Sequence, residues 1–247
     1  MKKQGRGFSL AAMSLRLLCP IHFQAILLLF IALLHVKIPT IFAGSSTSTF
    51  SYFGGNETDH QALLAFKKKI THGPENILSS RNDSLHFCEW EGITCGHKHR
   101  RVIVLDMRSR GSIPKELASL SKLEFLLVRN NNLTGEIPSY IGNFSSFQIL
   151  SAAHNVLGGY IPDALGQLRS LDTLGLMGNE LSGLVPPSLY NLSSIVILSF
   201  ARNDLSGSLP ADLFLTLPHL QWLQIYENKF TGPLPVSLSN ASELSII

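Results

Sequence analysis

The chain has 247 residues, 45% of them apolar and 15% charged, enough for one or two compact domains with a sizeable core. Its formal charge of +3 is carried by the first 43 residues, which hold Lys2, Lys3, Arg6, Arg16 and Lys37 and no acid. The remainder is acidic, 15 basic against 17 acidic residues, which excludes a nucleic-acid binder by overall charge.

Residues 1–43 read as a secretory signal peptide. The basic start is followed by "AILLLFIALL" from Ala25 to Leu34, then Pro39 and the small residues Ala43 and Gly44. A run of ten is short for a bilayer span and right for the apolar part of a signal. An uncleaved anchor over Ile21 to Ile38 is the alternative, interrupted by His22, Gln24, His35 and Lys37. Either way the rest meets an oxidising compartment, secreted or on the extracellular face of the plasma membrane. A linker follows over 44–57.

Residues 58–97 read as an N-terminal cap. In "TDHQALLAFKKKI", Thr58 and Gln61 stand in capping-box relation, and Ala62, Leu63, Phe66 and Ile70 share one helical face. Lys67 to Lys69 suit the C-terminal end of that helix as a solvated run. "FCEWEGITC" then brings Cys88, Trp90 and Cys95. Cys19 leaves with the signal, so the secreted pair Cys88 and Cys95 reads as a disulfide. In so short a loop the bond stabilises by about 2 kcal/mol. The alternative is zinc with His97 and His99, at a spacing that matches no structural finger. Six acceptor sequons, at Asn56, Asn82, Asn132, Asn143, Asn191 and Asn240, point to a glycoprotein.

From 98 to 247 the chain repeats itself. Units begin at Leu123, Phe147, Leu171, Ile195 and Leu220, with steps of 24, 24, 24 and 25 residues; a seventh begins at Leu244. About six units thus precede an incomplete one. Each carries L-x-x-L-x-L-x-x-N-x-L-x-G-x-I-P with apolar exchanges. A fixed period of this length indicates a solenoid. The expected fold is α/β: a right-handed leucine-rich-repeat solenoid with a curved parallel sheet on its concave side and a helical, disulfide-stapled cap. Apolar marks two apart give short strands, each needing its neighbour's strand beside it.

The recurring Asn131, Asn155, Asn179, Asn203 and Asn228 fall at the bend after each strand, where backbone groups cannot all pair in a ladder. An inward amide supplies both donor and acceptor there, so these five are expected to be a structural ladder. Gly135, Gly159, Gly183, Gly207 and Gly232 permit bends, and the Pro that follows each starts the return turn. The first unit is irregular: it reaches Ile113-Pro114 three residues early, with Arg110 where the Asn is due.

Exposed strand positions of successive units make columns. One runs Val104, Phe125, Ile149, Thr173, Ile197, Trp222. The next runs Asp106, Leu127, Ser151, Gly175, Ser199, Gln224. A third holds Arg108, Arg129, Ala153, Met177, Ala201, Tyr226, and a fourth Ser109, Asn130, His154, Gly178, Arg202, Glu227. The apolar run in the first column marks an interface. Arg108 and Arg129 are placed to clamp a carboxylate, and Trp222 with Tyr226 supplies aromatic anchors. The candidate ligand-binding residues are therefore Arg108, Phe125, Arg129, Ile149, Ile197, Trp222 and Tyr226. No nucleophile elbow or metal motif is present, and no catalytic residue, metal or cofactor is expected.

The cap segment "DHQALLAFKKKI…FCEWEGITC" and the "NELSGLVP" and "NDLSGSLP" motifs resemble the plant-type leucine-rich-repeat ectodomains of receptor-like serine/threonine kinases, over residues 58 to 247. "LPADLFLTLPHLQ", with its extra residue, is similar to the immune subgroup that senses bacterial products. The resemblance implies an extracellular horseshoe in defence signalling. It would read a peptide or protein elicitor, pair with a co-receptor kinase, and normally continue into a membrane span and a kinase. The sequence departs from that pattern in four ways. Arg81 stands where the cap usually has Trp, the first unit is short, the units are few, and no Gly-rich phosphate loop, H-R-D or D-F-G occurs. The expectation is thus a truncated ectodomain that binds and is not an enzyme. The alternatives are a secreted inhibitor of a wall-degrading enzyme and a non-functional receptor fragment.

Overall fold

The structure is a computed structural model that describes residues 56–69, 85–106 and 110–245. The expected signal and anchor segments, most of the linker, Ile70, Arg81, Asn82 and Arg108 lie outside the described residues.

Helix α1 spans Asn56–Lys69, with Glu57 and Asp59 in its first turn, where acids complement the helix dipole. It starts two residues before Thr58, so the expected capping box does not form. The Gln61 side chain donates instead to Glu57, at 2.6 Å. Ala62, Leu63 and Phe66 are buried as their spacing predicts. Asp59 is buried as well, its carboxylate taking hydrogen bonds from Arg101 Nε at 2.8 Å, Arg101 Nη2 at 2.6 Å and the Val102 N–H at 2.8 Å. The cap is thereby tied to the first strand of the repeats. His60 stacks on Phe87, and Lys67 Nζ lies 5.9 Å from the Trp90 ring centroid. Cys88 and Cys95 are bonded to each other, which takes both thiolates from the zinc alternative.

The cap ends in β1 (Ile93–Cys95), antiparallel to β2 (Val102–Asp106). Each rung then contributes a front strand and a second strand after the bend. The first pairs β2 with β3 (Arg110–Gly111) and the second β4 (Phe125–Leu127) with β5 (Asn132–Glu136). The third has β6 (Ile149–Ser151) and β7 (Val156–Tyr160); the fourth has β8 (Thr173–Gly175) and β9 (Glu180–Leu184). The fifth has β10 (Ile197–Ser199) and β11 (Asp204–Gly207); the sixth has β12 (Trp222–Gln224) and β13 (Lys229–Phe230). The front strands make a seven-stranded sheet, parallel after β1, and the second strands a six-stranded parallel sheet. Leu126, Leu150, Leu174, Leu198 and Leu223 stack inward between the two, each nearly inaccessible. This is the leucine-rich-repeat solenoid that the repeat pattern implies.

The second sheet is a finding that the repeat alone does not announce, since Leu-x-Gly-x-Ile-Pro reads as loop. Gly135, Gly159, Gly183 and Gly207 in it hold a left-handed φ while pairing with the next rung. Gly183, at φ +79°, also lies under Tyr160 of the previous rung: a Cβ there would stand 2.5 Å from the ring. Beyond it the chain returns in short 3-10 turns, each preceded by a proline: Pro114, Pro138, Pro162, Pro186 and Pro235. Proline fits there because its fixed φ starts the turn and its missing N–H takes nothing from a ladder. Adjacent turns touch so closely that a Cβ on Gly142 would stand 2.2 Å from the Ala164 carbonyl oxygen. The fifth rung, which holds the extra residue, widens its turn into an α-helical one, α2 (Leu213–Thr216), closed by Leu217 N–H to Leu213 C=O.

The bend between the two sheets is uniform. Asn130, His154, Arg202 and Glu227 all have φ between 53° and 57°, and Gly178 has φ 69°. A left-handed residue turns the chain, and the asparagine after it points inward. Asn155 Nδ2 donates to Val128 C=O of the previous rung and Ala152 C=O of its own, at 2.9 and 3.0 Å, while its Oδ1 accepts from the Leu133 N–H at 3.0 Å. Asn179, Asn203 and Asn228 repeat the pattern: their Oδ1 atoms take the N–H groups of Leu157, Leu181 and Leu205. Asn131 Nδ2 donates to Val128 C=O at 2.8 Å.

The first rung corrects one expectation. Arg110 does not occupy the asparagine position; it is already in the second sheet, paired with Asn132 as Thr134 is paired with Val156. Front strands β2 and β4 are 21 residues apart, Val104 against Phe125, whereas Arg110 and Asn132 keep the 22-residue offset seen between Thr134 and Val156. The missing residues are therefore lost from the bend itself, because both sheets must keep register with the next rung.

Candidate functional site

The front sheet presents the columns in the order that the period predicts. Val104, Phe125, Ile149, Thr173, Ile197 and Trp222 are direct partners across five strand pairings, and so are Asp106, Leu127, Ser151, Gly175, Ser199 and Gln224. All six of the first column are half-buried. Phe125 and Ile149 adjoin, Thr173 separates them from Ile197, and Ile197 adjoins Trp222. In the second column Ser151 and Ser199 are buried, and Ser199 Oγ donates to Gln224 at 2.7 Å. The middle of this face therefore carries small residues, Ser151, Gly175 and Ser199, beside the apolar column.

The third column continues past the strand ends through bonds such as Asn130 N–H to Ala153 C=O and Arg202 N–H to Tyr226 C=O, both 2.9 Å. Among the described residues Arg129 opens it and Tyr226 closes it, four rungs apart with Ala153, Met177 and Ala201 between them. Tyr226 is 44% exposed and its hydroxyl lies 3.9 Å from Met177 Sδ. Trp222 and Tyr226 share the last rung, as expected. Arg129 is half-buried, burial lowers the proton affinity of its guanidinium, and its Nε has no hydrogen-bond acceptor. The expected clamp with Arg108 lies outside the described residues.

Two features were not read from the sequence. A further column, Ile103, Glu124, Gln148, Asp172, Val196 and Gln221, runs along the entry edge of the sheet, linked by successive backbone bonds of 2.8 to 2.9 Å. In it burial pushes the Asp172 carboxyl above its usual range, partly offset by a hydrogen bond from Thr173, and Asp172 Oδ1 is buried without a partner. The signal that could have found this column is the residue between the first and second apolar marks. The second feature is His154, whose pKa is lowered from 6.5 by burial and then by the charges of Arg129 and Arg202. Arg202 itself makes an exposed ion pair with Glu227 at 3.0 Å.

Among the described residues no His, Cys, Asp or Glu group is arranged to hold a metal ion, and no helix is long and apolar enough to cross a membrane. The acceptor residues Asn132, Asn143, Asn191 and Asn240 are exposed; the last three end return turns on the side away from the front sheet.

Comparison with known proteins places this geometry. Residues 56–96 match the "Leucine rich repeat N-terminal domain" family, and residues 122–144 and 219–241 match "Leucine Rich Repeat". A putative receptor-like protein kinase of Arabidopsis thaliana is 41% identical over 78 residues, 30% of this chain and 8% of the kinase's length. The chain thus matches a small part of that relative. Among solved structures, the plant peptide hormone receptor RGFR1 in complex with RGF2 is 36% identical, with a TM-score of 0.55 over 57% of this chain and 22% of that one. The BIR3–SERK2 complex from Arabidopsis thaliana is 31% identical, with a TM-score of 0.62 over 70% of this chain and 95% of that one.

Proposed function

The chain belongs to the leucine-rich-repeat proteins, matching an ectodomain portion of plant receptor-like serine/threonine kinases, and on that premise we propose that it is an extracellular recognition module for a peptide or protein elicitor. The front sheet is the binding surface. The observation that carries this reading is the half-buried column Phe125, Ile149, Ile197 and Trp222, an apolar strip beside the small residues Ser151, Gly175 and Ser199. An extended peptide laid along the rungs covers that strip and reaches Arg129 and Tyr226. RGFR1, solved with RGF2, supports a peptide as the ligand class, and BIR3–SERK2, a complex of two proteins, supports a second leucine-rich-repeat partner such as a co-receptor kinase. The role in defence rests on the extra residue of the fifth rung and its likeness to the immune subgroup. Catalysis has no part in the reading: the chain recognises, and any phosphoryl transfer belongs to a partner or to a longer product.

The exposed Asn132, Asn143, Asn191 and Asn240 carry N-glycans in this reading, which leaves the front sheet bare. The test is to pan displayed peptide libraries and fractionated bacterial peptides against the secreted chain. Binders should weaken about tenfold or more on Trp222→Ala or Ile197→Ala and be indifferent to Val236→Ala, far from that face. Binders indifferent to Phe125, Ile149, Ile197 and Trp222 together would overturn the assignment.

A further inference from the structure

We infer that Arg129, His154 and Arg202 form an oxyanion subsite beside the apolar column, which takes a carboxylate of the bound peptide and grips it more tightly as the medium acidifies. The inference rests on the front face being the recognition surface.

Three observations carry it. The first is placement. His154 N–H bonds Met177 C=O at 2.7 Å and Gly178 N–H bonds Ala201 C=O at 2.8 Å, so Arg129, His154 and Arg202 sit on the second, third and fifth rungs of one face. Arg129 and Arg202 are thus about 14 Å apart along the stack, with His154 between them and close enough to feel the charge of both. The second is the ground between them. Ala153, Gly178 and Ala201 raise no large side chain between the cations, Met177, the one long side chain there, has its Sδ 3.9 Å from the Tyr226 hydroxyl, and the His154 ring leans over Gly178, where a Cβ would stand 2.8 Å from its Nδ1. The third is an imbalance of charge. Arg129 is half-buried with its Nε unused, no described ion pair includes it, and Glu227 is the single carboxylate paired to any of the three, through Arg202, on an exposed contact. A guanidinium half out of water with an unused N–H is stabilised by an oxyanion, and its planar fork suits a carboxylate.

His154 makes the subsite sensitive to pH. The groups that face it are Arg129 and Arg202, the latter tied to Glu227, and burial together with those two charges disfavours its protonation. An anion seated among the three offsets the repulsion, so binding takes up a proton. By linkage, the anion then binds more tightly wherever the free site is neutral and the occupied site is charged.

The test uses the whole secreted chain with isotope-labelled histidine, the His154 resonance being assigned by its loss in His154→Gln. The probes are N-acetylglycine for a terminal carboxylate, N-acetyl-aspartamide for a side-chain one, and sulfate as a reference oxyanion. The His154 pKa should rise with the probes, and the better carboxylate should bind about fivefold more tightly near pH 5 than near pH 8. The stronger of the two carboxylates identifies which end of an acidic residue the subsite takes. Arg129→Gln should raise the His154 pKa in the absence of any anion and abolish the further rise, a pairing that a merely structural arginine would not give. A His154 titration that no probe moves, or that moves equally in Arg129→Gln, overturns the subsite. If selected peptides still depend on Trp222 while His154 ignores every probe, the subsite falls and the recognition face stands; if they ignore Trp222 too, both fall.

Discussion

The first rung with its cap and the five rungs that follow solve the same problem by different chemistry. In the later rungs a neutral amide closes each bend, and one asparagine serves two neighbours: Asn203 Oδ1 accepts from Leu181 N–H while its Nδ2 donates to Leu176 and Phe200 C=O. At the N-terminal end the cap adds a charged device. There the helix α1 supplies a buried carboxylate, Asp59, held by Arg101 in two bonds and by the Val102 N–H in a third. The lesson is that a repeat can be held by identical uncharged bridges wherever a neighbour exists, while its end needs a unique device, and unique devices are less forgiving.

That contrast can be broken by substitution, and the largest effect is expected at the end. Asp59→Ala leaves the guanidinium of Arg101, whose side chain is only 18% exposed, without its partner, together with an orphaned backbone N–H. Removing one member of a pair buried in this way costs about 3 to 4 kcal/mol, read in a denaturant melt of the secreted chain. A loss under about 1 kcal/mol would show that the ion pair is incidental. In the body, Asn203→Ala orphans the Leu181 N–H and leaves the Leu176 and Phe200 carbonyls to the amides of Asn179 and Asn228 alone, which should cost about 2 kcal/mol. An equal cost for Asn179→Ala would confirm that the rungs are interchangeable. Replacing both Cys88 and Cys95 by Ser should cost about 2 kcal/mol, with local proteolysis confined to the cap.

A smaller effect within the later rungs is set by pH. Burial raises the folded pKa of Asp172 in the body, so the stability it contributes is complete below its unfolded pKa and is lost as pH rises through the folded value. Asp172→Asn should therefore stabilise at neutral pH, and the difference should vanish in acid; a variant that is destabilised at neutral pH would show that the carboxylate has a partner it needs. His154 runs the other way: with its folded pKa lowered, its contribution is present above the ordinary value and is lost as pH falls through it. The smallest effect belongs to the exposed pair Lys229 and Asp204, 2.7 Å apart on the second sheet. Lys229→Ala should change stability by no more than about 0.5 kcal/mol.

Much of this arrangement was legible. A period of 24 with apolar marks two apart fixes which residues share a column, so the partners Phe125, Ile149 and Thr173 follow from counting. The second sheet was not legible, because Gly and Pro in Leu-x-Gly-x-Ile-Pro signal a turn, and only the neighbouring rung makes that stretch a strand. Asp59 was hidden for a similar reason: an acid in a first helical turn has a sufficient explanation in the helix dipole, and its partner is 42 residues away. On the recognition face the column of Phe125 and Trp222 could be read directly. The approach of Arg129, His154 and Arg202 could not, since it depends on left-handed bends and on what Gly178 lacks.

The most direct test of the central claim, that inward amides tie each bend to the next, is hydrogen exchange at the Leu133, Leu157, Leu181 and Leu205 N–H groups. Each donates to the side-chain oxygen of the asparagine of the following rung. These amides should exchange slowly in the intact chain, and Asn203→Ala should speed Leu181 sharply while leaving Leu133 and the cap unchanged. Unaltered protection at Leu181 in that variant would contradict the account.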